Sequence, residues 1–575
     1  MEYHLSMPNM DRIGDKMEKW MIIAVFFLLV VGVYVYMEYR RRKNRKRLLE
    51  KIRASWGEVP LREYTLDEFG KISHYFRKSM DESFSIDDIT WNDLEMDDVF
   101  MCMNHTYSSL GEEYLYKMLR KPVFDEKVLA EREKLISYFQ NPQNREKREK
   151  IQVDYAGIGR TNRIAMADYL YNFVGLETDG NGKHYIQILV LLASFIGIFF
   201  NPQLFVFIFI FAMGWSIKTY YDDKKLVENY FSCIQYLLLM TKFGADIAKL
   251  EIEELKPYAE VIEQVCRKLK PMNKKAFWIN ASGSGSMVDL FMDYFRLVFH
   301  VDLIAFNSLV KYAKEYLHDI ENLIDQLGIV ESCIAVASFR ESMSYYAIPK
   351  LLHGKGAHFH ADNLYHPMIE EPVANSIHED RSVLVTGSNA SGKSTFLKTV
   401  ALNAVLAQTV NTVLAESYEA NYYRVFSSMA LRDDLQGQES YYIVEIKSLK
   451  RILDSINEEA PILCFVDEVL RGTNTVERIS ASSHILQNLS SRNVMCFAAT
   501  HDIELTHMLE QIYSNYHFSE EIMDDDILFN YVLYKGRATT RNAIKLLGIM
   551  GYSEEIIRQA EATAARFLKE GNWTL

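Results

Sequence analysis

The chain has 575 residues, of which 49% are hydrophobic and 25% are charged, and its formal net charge is −13. At about 150 residues per domain, this length allows roughly four domains. The composition excludes a collagen-like, a disordered and a disulfide-scaffold protein. A dedicated nucleic-acid binder usually carries a basic surplus, so the acidic balance argues against that class. The mean hydropathy of −0.11 is high for a chain that folds entirely in water and points to local apolar segments.

The first apolar segment covers residues 20–37 (WMIIAVFFLLVVGVYVYM), 18 residues without a charge. As a helix it would span about 27 Å, enough for a thin bilayer. A cleaved signal peptide is the alternative, but residues 1–19 mix acids with bases and no small-residue cleavage site follows. The basic run 40–47 (RRRKNRKR) is then cytoplasmic by the positive-inside rule and faces anionic lipid headgroups. We expect a short extracytoplasmic tail over 1–19, a transmembrane helix over 20–37 and a basic juxtamembrane linker over 38–90.

The second apolar zone runs from Tyr185 to Trp215, and its 31 uncharged residues are interrupted by Asn201-Pro202. Each arm has only about 13 to 16 residues, so a re-entrant hairpin competes with two full passes. A buried helical hairpin of a soluble core is a further alternative, but no polar stripe separates the apolar residues. We expect a membrane hairpin over 186–215, which returns the chain to the cytoplasmic side in either form.

Helical periodicity dominates 91–184 and 221–350, where apolar residues recur at three- and four-residue spacing. The longest helical stretches are expected over 226–250 and 290–329, with a flexible loop over 281–286 (ASGSGS). From about residue 360, short apolar strands alternate with helical stretches, as in an α/β domain. The best strands are expected at Ser382–Thr386, Ile462–Val466 and Val494–Ala499. The six cysteines lie apart, without a CxxC pair, which predicts reduced thiols and argues against a zinc site.

A phosphate-binding loop follows the first of these strands. Residues 387–394 (GSNASGKS) fit G-x-x-x-x-G-K-[ST], and a helical stretch begins where the pattern ends. Glycines let backbone N–H groups close around phosphate oxygens, and the helix N-terminus adds positive potential. In this pattern Lys393 contacts the β- and γ-phosphates, and Ser394 ligates Mg²⁺.

Two acids end the apolar strand 462–466. A carboxylate at this position suits Mg²⁺ with its water, and the next carboxylate suits polarisation of the attacking water, which assigns these roles to Asp467 and Glu468. An acid pair that caps the next helix is the alternative. His501 follows the strand VMCFAAT and is a candidate γ-phosphate contact, with an ordinary loop residue as the alternative.

Taken together, the P-loop, DDLQGQESYYIVE (433–445), DEVLRGTNT (467–475) and Ala499-Thr500-His501 resemble the MutS ATPase family. The DE-x-x-RGT-x-T pattern separates that family from the broader ABC class. Residues 366–367, 373–375, 534–536 and 551–560 resemble the same family, and weaker similarity extends to 106–122. The resemblance implies an α/β P-loop NTPase domain of ABC/MutS type over 351–575. It also implies an α-helical core and lever-like region over 91–350, which here would contain the transmembrane hairpin.

The resemblance also implies residue roles, with ATP and Mg²⁺ as cofactors and no other small-molecule substrate. Ser394 and Asp467 would hold the metal, Glu468 would be the general base and His501 the γ-phosphate sensor. Ser440 matches the serine that reaches the partner's nucleotide, which implies a homodimer with two composite sites. The remaining implied ATP contacts are Gly387, Ser388, Asn389, Ala390, Ser391, Gly392, Lys393, Thr395, Asn375 and Gln408.

The chain departs from the family pattern in ways that bear on function. Ser388 and Ala390 replace the usual proline and methionine of the P-loop, and only about 90 residues precede the core-like region. We therefore expect no mismatch-reading or connector domain. The leading hypothesis is a membrane-anchored dimeric ATPase whose head closure is conveyed through the levers to the hairpin. A membrane-tethered DNA clamp is the alternative. A transporter ATPase subunit is disfavoured because the chain has only three apolar segments and lacks LSGGQ.

Overall fold

The computed structural model describes residues 10–161, 165–177, 180–276, 279, 287–388, 391–429, 441–457, 460–470, 473–491, 493–522, 527–538, 544, 547 and 551–570. A helical part precedes an α/β part, as the sequence predicts. The described helices of the first part are α1 Met10–Ser55, α2 Leu66–Lys78, α3 Asp88–Asp93, α4 Met96–Met103, α5 Ser109–Arg120, α6 Glu126–Gln140, α7 Arg145–Ile158, α8 Met166–Gly175, α9 Gly182–Gly197, α10 Pro202–Val227, α11 Phe231–Ile247, α12 Lys256–Ala276, α13 Met287–Phe299, α14 Val301–Glu315 and α15 Leu317–Ser342.

The segment 38–90 differs from the predicted linker, because most of it is helical. α1 continues through the basic run to Ser55, and no glycine or proline interrupts residues 33–56. α2 begins with a capping box in which Thr65 and Glu68 bond reciprocally, and it buries Tyr75 and Phe76 in the core of the helical part. The run of like charges therefore lies on a helix that leads directly into the folded body.

Two predicted helices are divided in the structure. The stretch 226–250 begins at the end of α10, passes a short 3₁₀ turn at Glu228–Tyr230 and continues as α11. Within 290–329, breaks separate α13, α14 and α15, and the first break falls at His300, which has a left-handed φ of 49°. Apolar periodicity continues across such breaks, so it could not locate them. The predicted loop 281–286 lies outside the described residues.

α9 and α10 form the predicted apolar hairpin. The Asn201 side chain accepts a hydrogen bond from Leu204 N, and Pro202 occupies the first helical position, so this dipeptide ends one helix and starts the next. Among the described residues, α10 and α15 are long and apolar enough to cross a membrane, and α9 is a shorter apolar helix. The apolar window of α15 is 78% buried, as in a core helix, whereas that of α10 is only 17% buried.

α15 is the central helix of the helical part and packs on α5, α6 and α12. Its Glu331 carboxylate accepts hydrogen bonds from Tyr107 N, from Ser108 N and from the Ser108 hydroxyl, just before α5 begins. A Cβ at Gly111 would clash with this carboxylate, which explains why a glycine stands in the first turn of α5. Burial raises the pKa of Glu331 to about 7.

The α/β part contains two sheets. Its described strands are β1 Lys350–Leu352, β2 Phe359–Leu364, β3 Asn375–Glu379, β4 Ser382–Thr386, β5 Ser417–Asn421, β6 Arg424–Ser428, β7 Ile462–Asp467, β8 Val494–Thr500, β9 Tyr513–Ile522 and β10 Ile527–Lys535. The larger sheet has the order β10-β9-β4-β8-β7-β6, and only the β9–β10 pair is antiparallel among its described pairs. The smaller sheet has the order β1-β5-β2-β3.

The described helices of the α/β part are α16 Lys393–Thr409, α17 Tyr441–Asp454, α18 Thr475–Asn488, α19 Ile503–Met508 and α20 Glu554–Glu570. The three strands expected from the sequence are all present as β4, β7 and β8, and the last two extend one residue further than predicted. β4 is flanked by β8 and β9 and is wholly buried. The carboxyl ends of β4, β8 and β7 therefore lie side by side at one edge of the sheet.

Candidate nucleotide-binding site

The P-loop leaves the carboxyl end of β4 and leads into α16. Gly387 has a φ of +154° and Gly392 a φ of +104°, a backbone region that favours glycine. Gly392 immediately precedes the first turn of α16, so the backbone N–H groups of that helix N-terminus face the loop. Asn389 and Ala390, both expected to contact phosphate, lie outside the described residues.

Lys393 is buried beneath this loop. Its Nζ donates to Gly387 O at 2.9 Å and to Ser388 O at 2.7 Å, and it lies 3.4 Å from His501 Nε2. The ammonium is thus held inside the curve of the loop, where the pattern G-x-x-x-x-G-K-[ST] places the lysine that meets phosphate oxygens. The Ser388 hydroxyl points elsewhere and bonds to the Glu520 carboxylate.

The acids expected from the sequence meet the P-loop from the neighbouring strands. Ser394 Oγ donates to Asp467 Oδ2 at 2.5 Å, and His501 Nε2 lies 2.6 Å from Glu468 Oε1. A hydroxyl and a carboxylate oxygen are ligands that Mg²⁺ prefers, so this pair fits the expected metal. β7 and β8 supply Glu468 and His501 because both strands end at the same sheet edge as β4.

The surroundings of Asp467, Glu468 and His501 bear on the alternatives left open for these residues. α18 begins at Thr475, and its N-cap is Asn474, whose side chain accepts from Glu477 N at 3.0 Å. Asp467 and Glu468 are therefore not the capping pair of that helix. Glu468 has a left-handed φ of 56°, a backbone strain of the kind concentrated at functional sites. His501 is not an ordinary loop residue, because it contacts both the lysine and the glutamate.

A cavity of about 360 Å³ adjoins the P-loop. Gly392, Thr395 and Phe396 line one side, and Phe518 and Tyr531 supply further aromatic surface. Its other lining residues come from the end of β2, the segment before β3 and α16: Leu364, Tyr365, His366, Ile369, Glu371, Pro372, Val373, Asn375 and Thr399. A cavity beside a phosphate loop that combines aromatic surface with polar groups suits the flat base of a nucleotide.

Asn375 lines this cavity, as expected, and also shapes it. Its Oδ1 accepts from Leu533 N at 2.7 Å, and its Nδ2 donates to Tyr531 O at 3.1 Å. These bonds hold an irregular stretch of β10 in which Tyr531 has a left-handed φ of 54°. Burial lowers the pKa of His366, on the opposite wall, to about 4, so that imidazole is neutral near pH 7.

Gln408 and Ser440, both expected at the site, are not among the residues that the described structure brings to it. Gln408 lies fifteen residues after Lys393, about 22 Å along the helix, and its amide bonds to the Tyr423 backbone N and O at 2.7 and 3.0 Å. The structure therefore does not bring Gln408 to the nucleotide site, and its role is to join α16 to the strand region. Ser440 lies outside the described residues.

The residues that form the aromatic wall of the cavity were not predicted as site residues from the sequence. Tyr531 and Phe518 lie more than a hundred residues after the P-loop, on two strands that were not predicted individually. Their approach depends on β9 pairing with β4 in parallel register. The available sequence signal was the nearly continuous apolar and aromatic run over 527–535 (ILFNYVLYK), which is consistent with a strand.

Comparison with known proteins agrees with this geometry. Residues 383–568 match the family model described as MutS domain V, a range that starts in β4 and ends in α20. The C-terminal part of the chain is thus similar to MutS domain V. MutS domain V is an ATPase, and the range contains the P-loop, both acids and His501. The sequence-based prediction of a MutS-type P-loop ATPase domain is thus confirmed, and a large helical region precedes it.

Similar proteins include MutS protein homolog 4 of Mus musculus, 30% identical over 270 residues that cover 43% of this chain and 27% of that protein. The DNA mismatch repair protein MutS of Pseudothermotoga lettingae is 33% identical over 211 residues, which cover 34% of this chain and 26% of that protein. MutS protein homolog 4 of Homo sapiens is 26% identical over 299 residues, 48% of this chain and 31% of that protein. The chain therefore spans about a quarter to a third of the length of these relatives.

Proposed function

We propose that the full chain is a membrane-anchored ATPase that binds and hydrolyses Mg²⁺-ATP in composite sites of a homodimer and couples closure of its ATPase heads to the apolar hairpin. The observation that carries the proposal is that the ATPase region, the helical part and the apolar hairpin pack into one fold. The MutS domain V region packs on the helical part, and the helical part carries the exposed apolar helix pair α9–α10.

The chemistry follows from the residues around Lys393. Its ammonium, now bonded to Gly387 O and Ser388 O, would turn to the β- and γ-phosphate oxygens of ATP. Ser394 and Asp467 would hold Mg²⁺, which supplies charge neutralisation at the phosphates. Glu468 would accept a proton from the attacking water, and His501 Nε2, beside Glu468 and Lys393, would reach the γ-phosphate end.

The cavity beside the P-loop is where we place adenine, stacked against Tyr531. Tyr531→Ala is expected to weaken ATP affinity by about 1–3 kcal/mol, the range found when aromatic stacking on a base is removed. Tyr534→Ala is the matched control, because Tyr534 lies on the same strand outside the cavity lining. Equilibrium titration with a fluorescent ATP analogue measures both variants. Equal affinity of Tyr531→Ala and wild type would remove adenine from this cavity.

The dimer is proposed from the match of Ser440 to the serine that acts across the family's composite site. The exposure of the site supports it. The side chains of His501 and Glu468 retain 35% and 22% of their accessible surface, so the γ-phosphate end is open on one face. A second head placed there would exclude water from the reacting phosphate, as closing active sites do.

The membrane assignment is supported by apolar side chains that no part of the described fold covers. Phe199, Phe200, Phe207 and Phe211 of the hairpin are each at least 74% exposed. Trp20, Met21, Phe27 and Leu28 of α1 are exposed as well. Apolar helices that expose large aromatic surface are stable in lipid rather than in water. The N-terminus would then lie outside and the ATPase domain in the cytoplasm.

The base of the hairpin provides the coupling to the helical part. Tyr220 of α10 donates to Asp302 Oδ2 of α14 at 2.9 Å, and the buried His300 lies 3.0 Å from Ser216 Oγ and from His184 Nδ1. Buried polar networks of this kind hold their elements in one geometry. Movement of α14 would therefore be passed to both hairpin helices.

Cysteine labelling in proteoliposomes tests the hairpin. A chain carrying Phe207→Cys is expected to resist a water-soluble maleimide, whereas one carrying Lys225→Cys at the polar end of α10 should be labelled readily. Cys266→Ser is included in both, since Cys266 is the half-buried native thiol among the cysteines, the other five being buried. In urea the five buried native thiols react as well, so the chain carrying Cys266→Ser alone gives the background, and both introduced sites should react above it. Equal labelling of the two sites in lipid would contradict membrane insertion.

A DNA-binding clamp tethered to the membrane is the second candidate, favoured by the names of relatives that are DNA mismatch repair proteins. Its signature is DNA retention that falls steeply with salt, because protein cations displace counterions from phosphate. Retention at low salt that is abolished by neutralising the basic run 40–47 would support the clamp. Absence of retention at low salt would exclude it.

A further inference from the structure

The smaller sheet carries a cluster of histidines and acids on its outer face. Strand alternation turns Phe359 and Ala361 inward and His360 outward along β2. The strand register places His360 opposite His378 of β3 on one side and opposite Glu419 of β5 on the other. Together the strands and their flanking residues gather six titratable side chains on this face: His358, His360, Asp362, His378, Asp380 and Glu419.

Three of these groups converge on one point. His358 Nδ1 lies 2.7 Å and His360 Nε2 lies 3.3 Å from the same oxygen, Asp380 Oδ1. The three ligand atoms all lie within 4.8 Å of one another. Ligands bound tetrahedrally at about 2.1 Å stand roughly 3.4 Å apart, so small side-chain rotations suffice to surround one ion.

The second nitrogen of His358 provides an independent observation. His358 Nε2 lies 3.1 Å from Glu419 Oε1, so both ring nitrogens of this imidazole face carboxylate oxygens. A neutral imidazole has one N–H, and if that hydrogen bonds to Glu419, the Nδ1 lone pair points at Asp380. The Nδ1 lone pair and the Asp380 carboxylate would then repel each other. A cation between them removes this repulsion. A carboxylate on the distal nitrogen is also the usual outer-shell partner of a metal-bound histidine.

We propose that His358, His360 and Asp380 bind one Zn²⁺-class ion, with Glu419 orienting His358. Imidazole nitrogens select such borderline transition ions over Mg²⁺, which prefers oxygen. Three protein ligands leave a fourth position for water. The cysteine pattern argued against zinc, but this cluster contains no cysteine and is assembled only by strand pairing.

This site is separate from the nucleotide site. β2 and β3 run from the histidine cluster at one end to Leu364 and Asn375, which line the nucleotide cavity, at the other. Four or five residues at about 3.3 Å per residue separate the two ends by roughly 16 Å. The ion would crosslink β2 and β3 at the end away from the nucleotide cavity. The opposite end of the same two strands forms part of the cavity wall.

Titration of the metal-free full chain with Zn²⁺, in detergent and without nucleotide, tests the proposal. Wild type is expected to bind one equivalent of Zn²⁺. Its Zn²⁺ affinity should be at least about 100-fold higher than that of His360→Ala or Asp380→Asn, and Glu419→Gln should lower the affinity about 10–100-fold. The controls are His318→Ala, a fully exposed histidine on α15, and Asp362→Asn on the same sheet face. Both controls should bind Zn²⁺ like wild type.

Co²⁺ supplies a second readout, because a four-coordinate site gives intense visible absorption and an octahedral one does not. The wild-type spectrum should be intense and should disappear in His360→Ala and Asp380→Asn. ATP-analogue binding by each variant verifies that the domain is folded. The proposal is overturned if Zn²⁺ affinity is the same in wild type and the two ligand variants. It is overturned equally if the wild type binds no Zn²⁺.

Discussion

Glu468→Gln is expected to bind ATP with near-normal affinity and to hydrolyse it about 10²–10⁴-fold more slowly than wild type, the usual contribution of a general base. Glutamine keeps the shape and a hydrogen-bonding oxygen next to His501, but it cannot take a proton from water. The residue stands at the end of β7 in a left-handed conformation, 2.6 Å from His501 Nε2. We therefore expect the substitution to preserve the local structure but to abolish the proposed proton transfer from water.

Single-turnover phosphate release and ATP-analogue binding, measured on the same preparation, separate these two effects. The variant should also accumulate the closed dimer, which size-exclusion chromatography with ATP would detect. Glu477→Gln is the matched control, since Glu477 lies in the first turn of α18 and its Oε2 accepts from Thr473 Oγ1. Hydrolysis by Glu468→Gln at the rate of the control would mean that Glu468 is not the base.

Arg340→Ala is expected to lower the free energy of unfolding by about 3 kcal/mol, the lower end of the cost of breaking a buried ion pair. Arg340 is fully buried at the end of α15, and its two Nη atoms donate to the Glu133 carboxylate of α6 at 2.8 and 2.6 Å. Its Nε and Nη2 also bond to Thr412 Oγ1 and Asn411 O, at 2.9 Å each, just beyond α16. One guanidinium thus joins two helices of the helical part to the far end of the P-loop helix.

The same contact is the expected route from the ATP site to the helical part. Arg132 makes a parallel bond, from Nη1 to Thr409 O at 2.5 Å. Chemical unfolding monitored by far-UV circular dichroism in detergent measures the loss. Arg340→Lys should give an intermediate loss, because an ammonium keeps the charge but not the paired bonds. A change in Arg340→Ala below about 1 kcal/mol, the size typical of surface ion pairs, would show that the junction is held by other contacts.

The sequence was most informative where local pattern and chemistry coincide. The assignment of Lys393, Ser394, Asp467, Glu468 and His501 to one phosphate site came from short motifs and from the strands and helix that flank them. The close pairs Ser394–Asp467 and Glu468–His501 fit that assignment, although these contacts were not predicted individually. The parallel strands bring them together because their carboxyl ends lie at the same sheet edge.

Features set by long-range packing could not be derived in the same way. Tyr531 lines the cavity only because β9 pairs with β4. Gln408 lies outside the site because it is about 22 Å further along α16 than Lys393. The basic run 40–47 suggested a linker, since charge says little about whether a helix continues. The histidine cluster escaped notice because His358 and Asp380 are brought together by strand register, which no local spacing encodes.

Phosphate release from ATP by the full chain reconstituted in lipid is the most direct measurement of the central claim. We expect Mg²⁺-dependent release that is lost on chelation of Mg²⁺ and in Lys393→Ala, since Lys393 lies inside the loop that would hold the phosphates. Removal of one such electrostatic contact typically slows turnover about 10²–10³-fold. Release by Lys393→Ala at the wild-type rate would contradict the assignment of this site.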